Sequence, residues 1–184
     1  MFDEILNDSD LLSLLRSTCE ENDICVELSE KLTEEKYLIL KIDAYYNSSR
    51  IHNPPPSIDC LIIVKCDTNK CYDFYLVELR GIKSTKGFKI GNIQQKFSTT
   101  IDKFLKDEFA SIFLNDDYCL NHFKLYFVSD GCRLQRFPHM TKEQYDKKLG
   151  TTKYGKFLLQ KPYEFRNKKT LINPVLPNPM IKEC

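Results

Sequence analysis

The sequence lacks the features that would export the protein or place it in a membrane. No apolar run approaches the ~20 residues that a membrane-spanning helix needs, and no internal repeat or low-complexity segment is present. The first ten residues, MFDEILNDSD, are acidic where a secretory signal carries positive charge. We therefore expect a protein of the cytoplasm, nucleoid or nucleus that is not secreted and does not enter a membrane.

Motifs that hold a metal or a nucleotide through closely spaced residues are also missing. None of the 8 cysteines forms a CxxC pair, and His122 and His139 do not complete a recognisable zinc spacing. The loop GIKSTKG lacks the spacing of a P-loop, and no Ser–His–Asp or Cys–His pattern stands out. We expect the cysteines to be reduced thiols that act as small buried side chains. A metal clip that uses Cys66 and Cys71 is the alternative.

Positive charge is scarce in the first part of the chain and negative charge in the second, although the total is only +1. Residues 1–79 hold 7 Lys and Arg against 16 Asp and Glu, a net charge of −9. Residues 80–184 hold 20 against 10, a net charge of +10. A basic half can attract a phosphate backbone. The alternative is that the two halves neutralise each other.

Hydrophobic periodicity predicts an ordered series of helices and strands within the 184 residues. The predicted elements are a helix over 2–21, a short strand or helix continuation at 24–28, strands at 36–46, 58–66 and 72–80, a long helix at 90–114 and a strand at 123–129. A weaker pattern follows: a short helix that ends at Gly150, an extended or hairpin segment at 153–165 and a poorly ordered, proline-rich tail at 172–184.

These elements predict an α/β protein with a central four-stranded mixed sheet flanked by helices. The strands at 36–46, 58–66 and 72–80 should form an antiparallel meander, because the turn DTNK is rich in hairpin residues. The long helix then lets the last strand run parallel to the third through a right-handed crossover. Residues 1–130 would form the core domain, and residues 131–184 an extension packed on the same domain.

Two acids and a cation fall at one end of this predicted sheet. Side chains alternate along a strand, so Glu78 and Arg80 share a face, and the antiparallel pairing places Asp59 nearly opposite Glu78. Two neighbouring carboxylates repel each other unless a cation is present. That cation is either a hard divalent ion such as Mg²⁺, held by oxygen ligands that include the Leu79 carbonyl, or Arg80 in an ordinary salt bridge.

The motif and the element order together resemble the PD-(D/E)XK nuclease superfamily, which has the fold of restriction endonucleases. PPPSID supplies the proline and Asp59, VELRG supplies Glu78, and the helix–strand–strand–strand–helix–strand order covers residues 1–130. The resemblance implies a nuclease that uses Mg²⁺, or Mn²⁺ in its place, with Asp59 and Glu78 as metal ligands.

The resemblance also implies roles for residues outside the two strands. Gln94 or Gln95 would match a glutamine that many members carry on the next helix. The glutamate that members often carry on the first helix would be Glu20, which lies nearest the expected site, or one of two further candidates, Glu4 and Glu21.

One position departs from the family pattern. Arg80 stands where the family usually has lysine. Arginine keeps the positive charge and can clamp a phosphate, but it does not deprotonate and cannot act as a general base. Lys83, three residues further on, would reach back to replace that lysine.

The implied activity is phosphodiester hydrolysis by a metal-activated water, with DNA as the expected substrate. Arg80 or Lys83 would stabilise the charge that builds on the phosphate. Lys83, Lys86 and Lys89 lie in the loop and at the start of the helix, and they would contact phosphates. The alternative is that these lysines belong to an ordinary solvated loop. The residues that would extend this basic track are Arg133, Arg136, Lys147 and Lys148.

Two other functions remain open from the sequence. The first is a non-catalytic nucleic-acid-binding or assembly subunit on the same fold, which Arg80 favours. The second is a protein–protein adaptor, which the proline-rich tail favours. The resemblance implies a homodimer or a larger complex as the assembly.

Overall fold

The computed structural model describes most of the chain. The described residues are 1–48, 52–67, 70–81, 89–130 and 140–184. Lys83, Lys86, Arg133 and Arg136, which the sequence predicts to contact phosphate, lie outside these ranges, as does Cys132. No helix within the described ranges combines the length and the apolar character that crossing a bilayer requires.

The protein is a mixed α/β structure in which helices lie on a large mixed sheet. The strands are β1 Leu15–Arg16, β2 Cys19–Glu21, β3 Ile24–Leu28, β4 Tyr37–Lys41, β5 Cys60–Lys65, β6 Cys71–Leu79, β7 Cys119–Val128, β8 Tyr163–Phe165, β9 Lys168–Thr170, β10 Ile172–Val175 and β11 Met180–Ile181. The α-helices are α1 Phe2–Asn7, α2 Ser9–Ser13, α3 Ile42–Tyr46, α4 Ile90–Thr99, α5 Ala110–Phe113 and α6 Lys142–Gly150. A π-helix over Thr100–Glu108 joins α4 to α5, and short 3-10 helices cover Glu34–Lys36 and Lys153–Leu159.

The large sheet has six strands in the order β1–β4–β5–β6–β7–β10. Strands β4, β5 and β6 form the predicted antiparallel meander, and β7 runs parallel to β6 as predicted. Strand β10 then adds parallel to β7 at one edge, and β1 pairs antiparallel with β4 at the other. The sheet therefore extends the predicted four strands by one strand on each side.

The two central strands are buried on both faces because they carry nearly continuous apolar runs. One face, which includes Leu61 and Leu76, packs against buried side chains from all six described α-helices. The opposite face, which includes Ile62 and Val77, packs against the small sheet β11–β3–β2. The core therefore consists of a helical layer, the large sheet and a small sheet.

The predicted helix over 2–21 is wrong beyond α2, and the strand predicted at 36–46 ends at Lys41. After α2, which Asp8 caps through the Asp10 and Leu11 amides, the chain forms β1 and then the β2–β3 hairpin. The hairpin turn consists of Asn22 and Asp23, whose φ angles are 49° and 64°. Asparagine and aspartate tolerate this left-handed backbone, so their tight-turn preference overrides the loose helical stripe.

The prediction of a poorly ordered tail at 172–184 is also wrong. Strand β10 pairs with β7 in the large sheet, and β11 pairs with β3 in the small one. Pro174 fits in β10 because β10 is an edge strand of the large sheet. At an edge, a proline that lacks an N–H can face away from the neighbouring strand without losing a hydrogen bond of the sheet. The segment from residue 140 onward therefore contributes to both sheets and packs with the core.

The weaker helix and hairpin predictions between residues 140 and 170 are partly confirmed. Helix α6 ends at Gly150 as predicted and begins with a capping box between Thr141 and Gln144. The segment at 153–165 forms a 3-10 helix and then the first strand of the β8–β9 hairpin.

Six of the 8 cysteines form disulfides in this structure, so the prediction of reduced thiols is wrong for them. The pairs are Cys19–Cys60, Cys66–Cys184 and Cys71–Cys119. Cys25 is unpaired. The expected cellular compartment stays a prediction.

Replacing Ile172 with alanine tests whether the C-terminal segment belongs to the core. Ile172 is fully buried opposite Leu125 of β7, so Ile172→Ala should lower the free energy of unfolding by about 2–5 kcal/mol. Leu159→Ala is the matched control, because that side chain is 86% exposed and its truncation should change stability by less than about 0.5 kcal/mol. Urea unfolding measures both, and equal effects would contradict the placement of β10.

Candidate active site

Asp59 and Glu78 lie side by side where β5 begins and β6 ends. Cys60 is opposite Val77 in the strand register, and the Asp59 amide donates to the Val77 carbonyl at 3.1 Å. The continued register therefore places Asp59 opposite Glu78. Alternation along each strand turns both side chains toward the helix-covered face. The two acids thus meet at one end of the sheet, as the sequence pattern predicted.

Backbone hydrogen bonds fix the position of Asp59. Its carboxylate Oδ2 accepts a hydrogen bond from the Leu79 amide at 2.7 Å, and the side chain is almost fully buried. The Asp59 carbonyl accepts from the Ile42 amide at 2.9 Å. The preceding amide, of Ile58, donates to Thr100 Oγ1 at 3.3 Å. Asp59 is therefore held between β6, the start of α3 and the long helical segment.

Glu78 is fully buried and lies against two cations. Lys96 Nζ is 2.9 Å from both carboxylate oxygens, and Arg80 Nε is 2.8 Å from Oε1. The contacts to Oε1 are not aligned as hydrogen bonds, so charge attraction rather than a directed bond holds that oxygen. Arg80 remains more than a third exposed, whereas Lys96 is mostly buried.

Burial is the main cause that raises the pKa of Glu78 to about 8, and the negative charge of Asp59 adds to it. Lys96 and Arg80 oppose this shift. Their short distances fit an ionised carboxylate, but the desolvation of a fully buried group is the larger effect, so the pKa moves upward. Glu78 therefore ionises near pH 8 rather than near pH 4.5.

A third acid, Asp43, lies near this pair and was missed by the sequence analysis. It stands in the first turn of α3, and its Oδ2 is 3.6 Å from Lys41 Nζ. Its Oδ1 is buried and has no hydrogen-bond partner among the described residues. Burial raises the pKa of Asp43, and the charge of Asp59 adds to the rise against Lys41. The sequence analysis missed Asp43 because the hydrophobic pattern predicted a strand, rather than a helix, over these residues.

The helix after β6 contributes a lysine to the site in place of the predicted glutamine. The Gln95 side chain donates to Thr99 Oγ1 at 3.3 Å, and the Gln94 carbonyl accepts from Tyr163. Neither side chain contacts Asp59 or Glu78, whereas Lys96 does. Lys96 lies four residues before Thr100, on the helix face that contacts the start of β5. That spacing is the sequence signal that would have identified it.

The three glutamates proposed for the first helix do not reach the acids. Glu4 accepts a hydrogen bond from Asn115, just before β7 begins, and so lies at the opposite end of the large sheet. Glu20 is exposed on β2 opposite Cys25, and Glu21 accepts from Asn22 in the adjacent turn. The contacts of these three glutamates are therefore with residues outside the candidate site.

Part of the predicted basic track lies at the same end of the sheet as the acids. Tyr154 Oη is 3.1 Å from Ser129 Oγ, and Ser129 follows Val128, whose carbonyl accepts from the Arg80 amide. Gly155 in turn packs so closely on Gly150 of α6 that a Cβ there would lie 2.5 Å from its carbonyl oxygen. The exposed lysines in this region are Lys89, which directly precedes α4, and Lys147 and Lys148 of α6.

The donor set at this end of the sheet fits a hard divalent cation. Carboxylate oxygens are the ligands that Mg²⁺ and Mn²⁺ prefer, and the unpartnered buried Oδ1 of Asp43 is an oxygen that a cation would satisfy. The ligand atoms of Asp43, Asp59 and Glu78 do not all lie within 4.8 Å of one another. Among the described residues, the one group of three that meets this distance is Cys66, Asp73 and Cys184. The candidate metal ligands are therefore the carboxylates of Asp59 and Glu78, and Asp43 lies nearby.

Two cavities of the described structure are not lined by these acids. One of about 580 Å³ is lined by residues that include Lys124 and Ile172. Another of about 400 Å³ is lined by residues that include Ser13 and Tyr45. Neither cavity is lined by Asp59 or Glu78, so the chemistry of the charged groups, rather than the shape of a pocket, identifies the candidate site.

The raised pKa of Glu78 predicts that stability falls as the pH rises. The carboxyl titrates near 4.5 in the unfolded chain and near 8 in the folded one, so the folded state binds more protons between these values. The stabilisation should be complete below pH 4.5 and lost above pH 8, with a slope of at most about 1.4 kcal/mol per pH unit. Urea unfolding across this range should show a shallower decline for Glu78→Gln.

Asp102→Asn is the matched control for this pH series. Asp102 is an exposed acid that pairs with Lys106 on the helix surface. Its variant should keep the pH dependence of the wild type. A Glu78→Gln variant with the same slope as the wild type would contradict the raised pKa.

Comparison with known proteins identifies no relative of this chain. No protein-family model, no curated protein and no solved structure matches the chain. A mixed α/β fold alone does not imply a function. A functional assignment therefore depends on the charged residues at this end of the sheet.

Proposed function

We propose that this protein is a metal-dependent nuclease that hydrolyses phosphodiester bonds, with DNA as the expected substrate. The observation that carries the proposal is the pair of buried acids, Asp59 and Glu78, that meet at the end of β5 and β6 with Lys96 against Glu78. The proposal is supported by the antiparallel meander, the helix and the parallel strand around these acids, because the resemblance of the two acidic motifs to the PD-(D/E)XK superfamily implies elements in that order.

Asp59 and Glu78 would hold a divalent ion such as Mg²⁺ or Mn²⁺. When bound, such an ion supplies a Lewis acid and a water that ionises near neutral pH. The Leu79 amide keeps one carboxylate oxygen of Asp59 in place, so this acid is oriented before any ligand arrives. Such preorganisation is the main protein contribution to catalysis of this type.

Lys96 and Arg80 divide the work that one motif lysine does in the family. Lys96 is mostly buried beside Glu78, where its ammonium would donate hydrogen bonds to the attacking water or to the phosphate. Arg80 is partly exposed, and its planar guanidinium can clamp the phosphate and stabilise charge as it builds. The described lysine at the site is thus Lys96, while the proposal for Lys83 remains a sequence prediction.

A specific observation favours the second candidate, a non-catalytic nucleic-acid-binding subunit. Two cations already lie 2.8–2.9 Å from Glu78, so an ionised Glu78 would have its charge compensated without any metal. In that case the network only positions Arg80, and the exposed lysines, Lys89 just before α4 and Lys147 and Lys148 of α6, bind the phosphate backbone.

A plasmid-nicking assay separates these functions. Purified protein with supercoiled DNA and Mg²⁺ or Mn²⁺ should nick the plasmid. Asp59→Asn and Glu78→Gln should each reduce the rate at least ~100-fold, because each removes a ligand on which the transition state depends. Lys96→Met should also reduce the rate, while Lys106→Met, an exposed lysine of the same helical segment, should not.

Circular dichroism of each variant checks that the fold is retained. Salt-sensitive DNA binding without nicking, unchanged in Asp59→Asn, would favour the non-catalytic subunit over the nuclease. Absence of both binding and nicking would overturn both proposals and leave the adaptor.

Metal binding should release a proton from Glu78. Because the pKa of this buried acid is raised to about 8, its carboxyl is largely protonated at neutral pH and must ionise to hold a cation. Calorimetric titration with Mn²⁺ at pH 7, in buffers of different ionisation enthalpy, should detect close to one proton released per ion. Glu78→Gln should abolish the release, and Asp102→Asn should leave it unchanged.

A further inference from the structure

A second group of ligand-bearing side chains lies at the opposite end of the large sheet. Cys66 follows β5, Asp73 lies on β6, His122 lies on β7, and Cys184 reaches this end from beyond β11. The ligand atoms of Cys66, Asp73 and Cys184 all lie within 4.8 Å of one another. His122 Nδ1 is 3.1 Å from each carboxylate oxygen of Asp73. Residues from four parts of the chain therefore lie around Asp73.

An irregularity in the sheet directs two of these side chains. The register of β6 with β7 shifts between Tyr72 and Asp73, which leaves Asn121 as an extra residue on β7. Asn121 Nδ2 donates to Asp73 Oδ1 at 2.9 Å, and the His122 amide donates to the same oxygen at 3.0 Å. A bulge of this kind re-aims side chains, and here it turns Asn121 and His122 toward the buried carboxylate.

The carboxylate of Asp73 lacks a permanent positive charge. Its side chain is only 3% exposed, and among the described ion pairs its cationic partner is His122, which is charged only when protonated. A buried carboxylate without a cation is costly, because desolvation is not repaid by attraction. A metal ion at this point would supply the missing charge.

We propose that Cys66, Cys184, Asp73 and His122 bind a zinc ion when the Cys66–Cys184 disulfide is reduced. In a tetrahedral site with the usual Zn–N, Zn–O and Zn–S bond lengths, nitrogen and oxygen ligands lie about 3.3 Å apart and sulfur and oxygen ligands about 3.6 Å apart. The corresponding distances are 3.1 Å from His122 Nδ1 to Asp73 and 3.8 Å from Cys66 Sγ to Asp73 Oδ1. Two changes remain: the two sulfurs separate to about 3.8 Å, and the imidazole of His122, which lies close to Asp73 but outside the group of ligand atoms within 4.8 Å of one another, moves toward them.

The reaction that opens the site is balanced by a thiol reductant. Two molecules of a low-molecular-weight thiol give two electrons and two protons to the Cys66–Cys184 bond and become one disulfide. The two cysteine thiols then lose their protons as Zn²⁺ binds the thiolates. The same two cysteines therefore hold the C-terminal segment in either redox state, first through sulfur and then through the metal.

The position of the site gives the zinc a structural role. Cys184 lies three residues after β11, which pairs with β3 and completes the small sheet. Cys66 lies at the end of the central strand β5. A zinc ion that joins them would keep β11 in place under reducing conditions, whereas loss of the ion would release it.

Zinc titration of the reduced protein tests the proposal. The protein, reduced with a phosphine and freed of metal, is titrated with Zn²⁺ against a chromophoric chelator, in the Glu78→Gln background that removes a ligand of the other site. We expect one ion per chain and a rise in the midpoint of thermal unfolding. Cys66→Ser, Cys184→Ser, Asp73→Asn and His122→Ala should each weaken binding at least ~10-fold, and Co²⁺ should give thiolate charge-transfer absorption.

The matched control is the neighbouring pair Cys71 and Cys119, which forms its own disulfide at the same end of the sheet. Their double serine variant should keep zinc affinity within about threefold of the parent, well short of the loss expected for a ligand. The oxidised protein needs no substitution and should bind zinc far more weakly than the reduced one. Equal zinc affinity in the oxidised and reduced proteins, or wild-type affinity in both Cys66→Ser and Cys184→Ser, would overturn the proposal.

Discussion

The antiparallel pairing of β5 with β6 forces two carboxylates into the buried end of the sheet, and the surrounding structure compensates for their repulsion. Asp59 is neutralised in part by the Leu79 amide, and Glu78 by Lys96 and Arg80. These partners come from β6 and α4, so the electrostatic requirement of one strand pair constrains the placement of the helix. Removing Glu78 would leave the mostly buried Lys96 without its partner, a destabilising change unless the structure relaxes, whereas removing Asp59 would leave the Leu79 amide without its acceptor.

The same strand pair also organises the far end of the sheet. Strand β6 carries Glu78 at one end and Asp73 near the other, and both are buried acids in a largely apolar strand. Glu78 faces the helices with Phe74 and Leu76, while alternation turns Asp73 toward the face that carries Val77. The two acids are therefore chemically separate, one beside lysine and arginine nitrogens and the other beside an imidazole and the Cys66–Cys184 disulfide. In the two proposed sites, carboxylate oxygens would hold a hard ion at the first acid, and thiolates and imidazole would hold zinc at the second once the disulfide is reduced.

The centre of the fold followed from the sequence because local and tertiary preferences agree there. Continuous apolar runs marked β5 and β6, alternation placed Asp59 and Glu78 on one face, and the helical stripe marked the segment from residue 90. The edges did not follow, because their structure depends on long-range pairing. Strand β10 exists through its register with β7, and a proline-rich sequence gives no local sign of that partner.

Individual site residues were missed for equally specific reasons. Lys96 looks like an ordinary lysine on a helix until the helix is docked on the start of β5. Asp43 lies in a short helix whose residues, IDAYY, also suit a strand. The link between Cys66 and Cys184 spans 118 residues, so no spacing rule could join them. Conversely, the glutamine was expected from resemblance alone, and in this structure the neighbouring Lys96 contacts Glu78 instead.

The charge asymmetry along the chain acquires a local meaning at the candidate site. Glu78 belongs to the acidic first part of the chain, and Arg80 and Lys96 belong to the basic second part. A proton and the two cationic side chains therefore compete for this carboxylate, and the divalent metal of the proposed function would be a further competitor. Because burial favours the proton and the proposed metal would have to displace it, a small change in free energy would decide whether the cluster holds an ion. The choice between nuclease and binding subunit is for that reason a question of free energy at Glu78, and the position of the two acids is common to both.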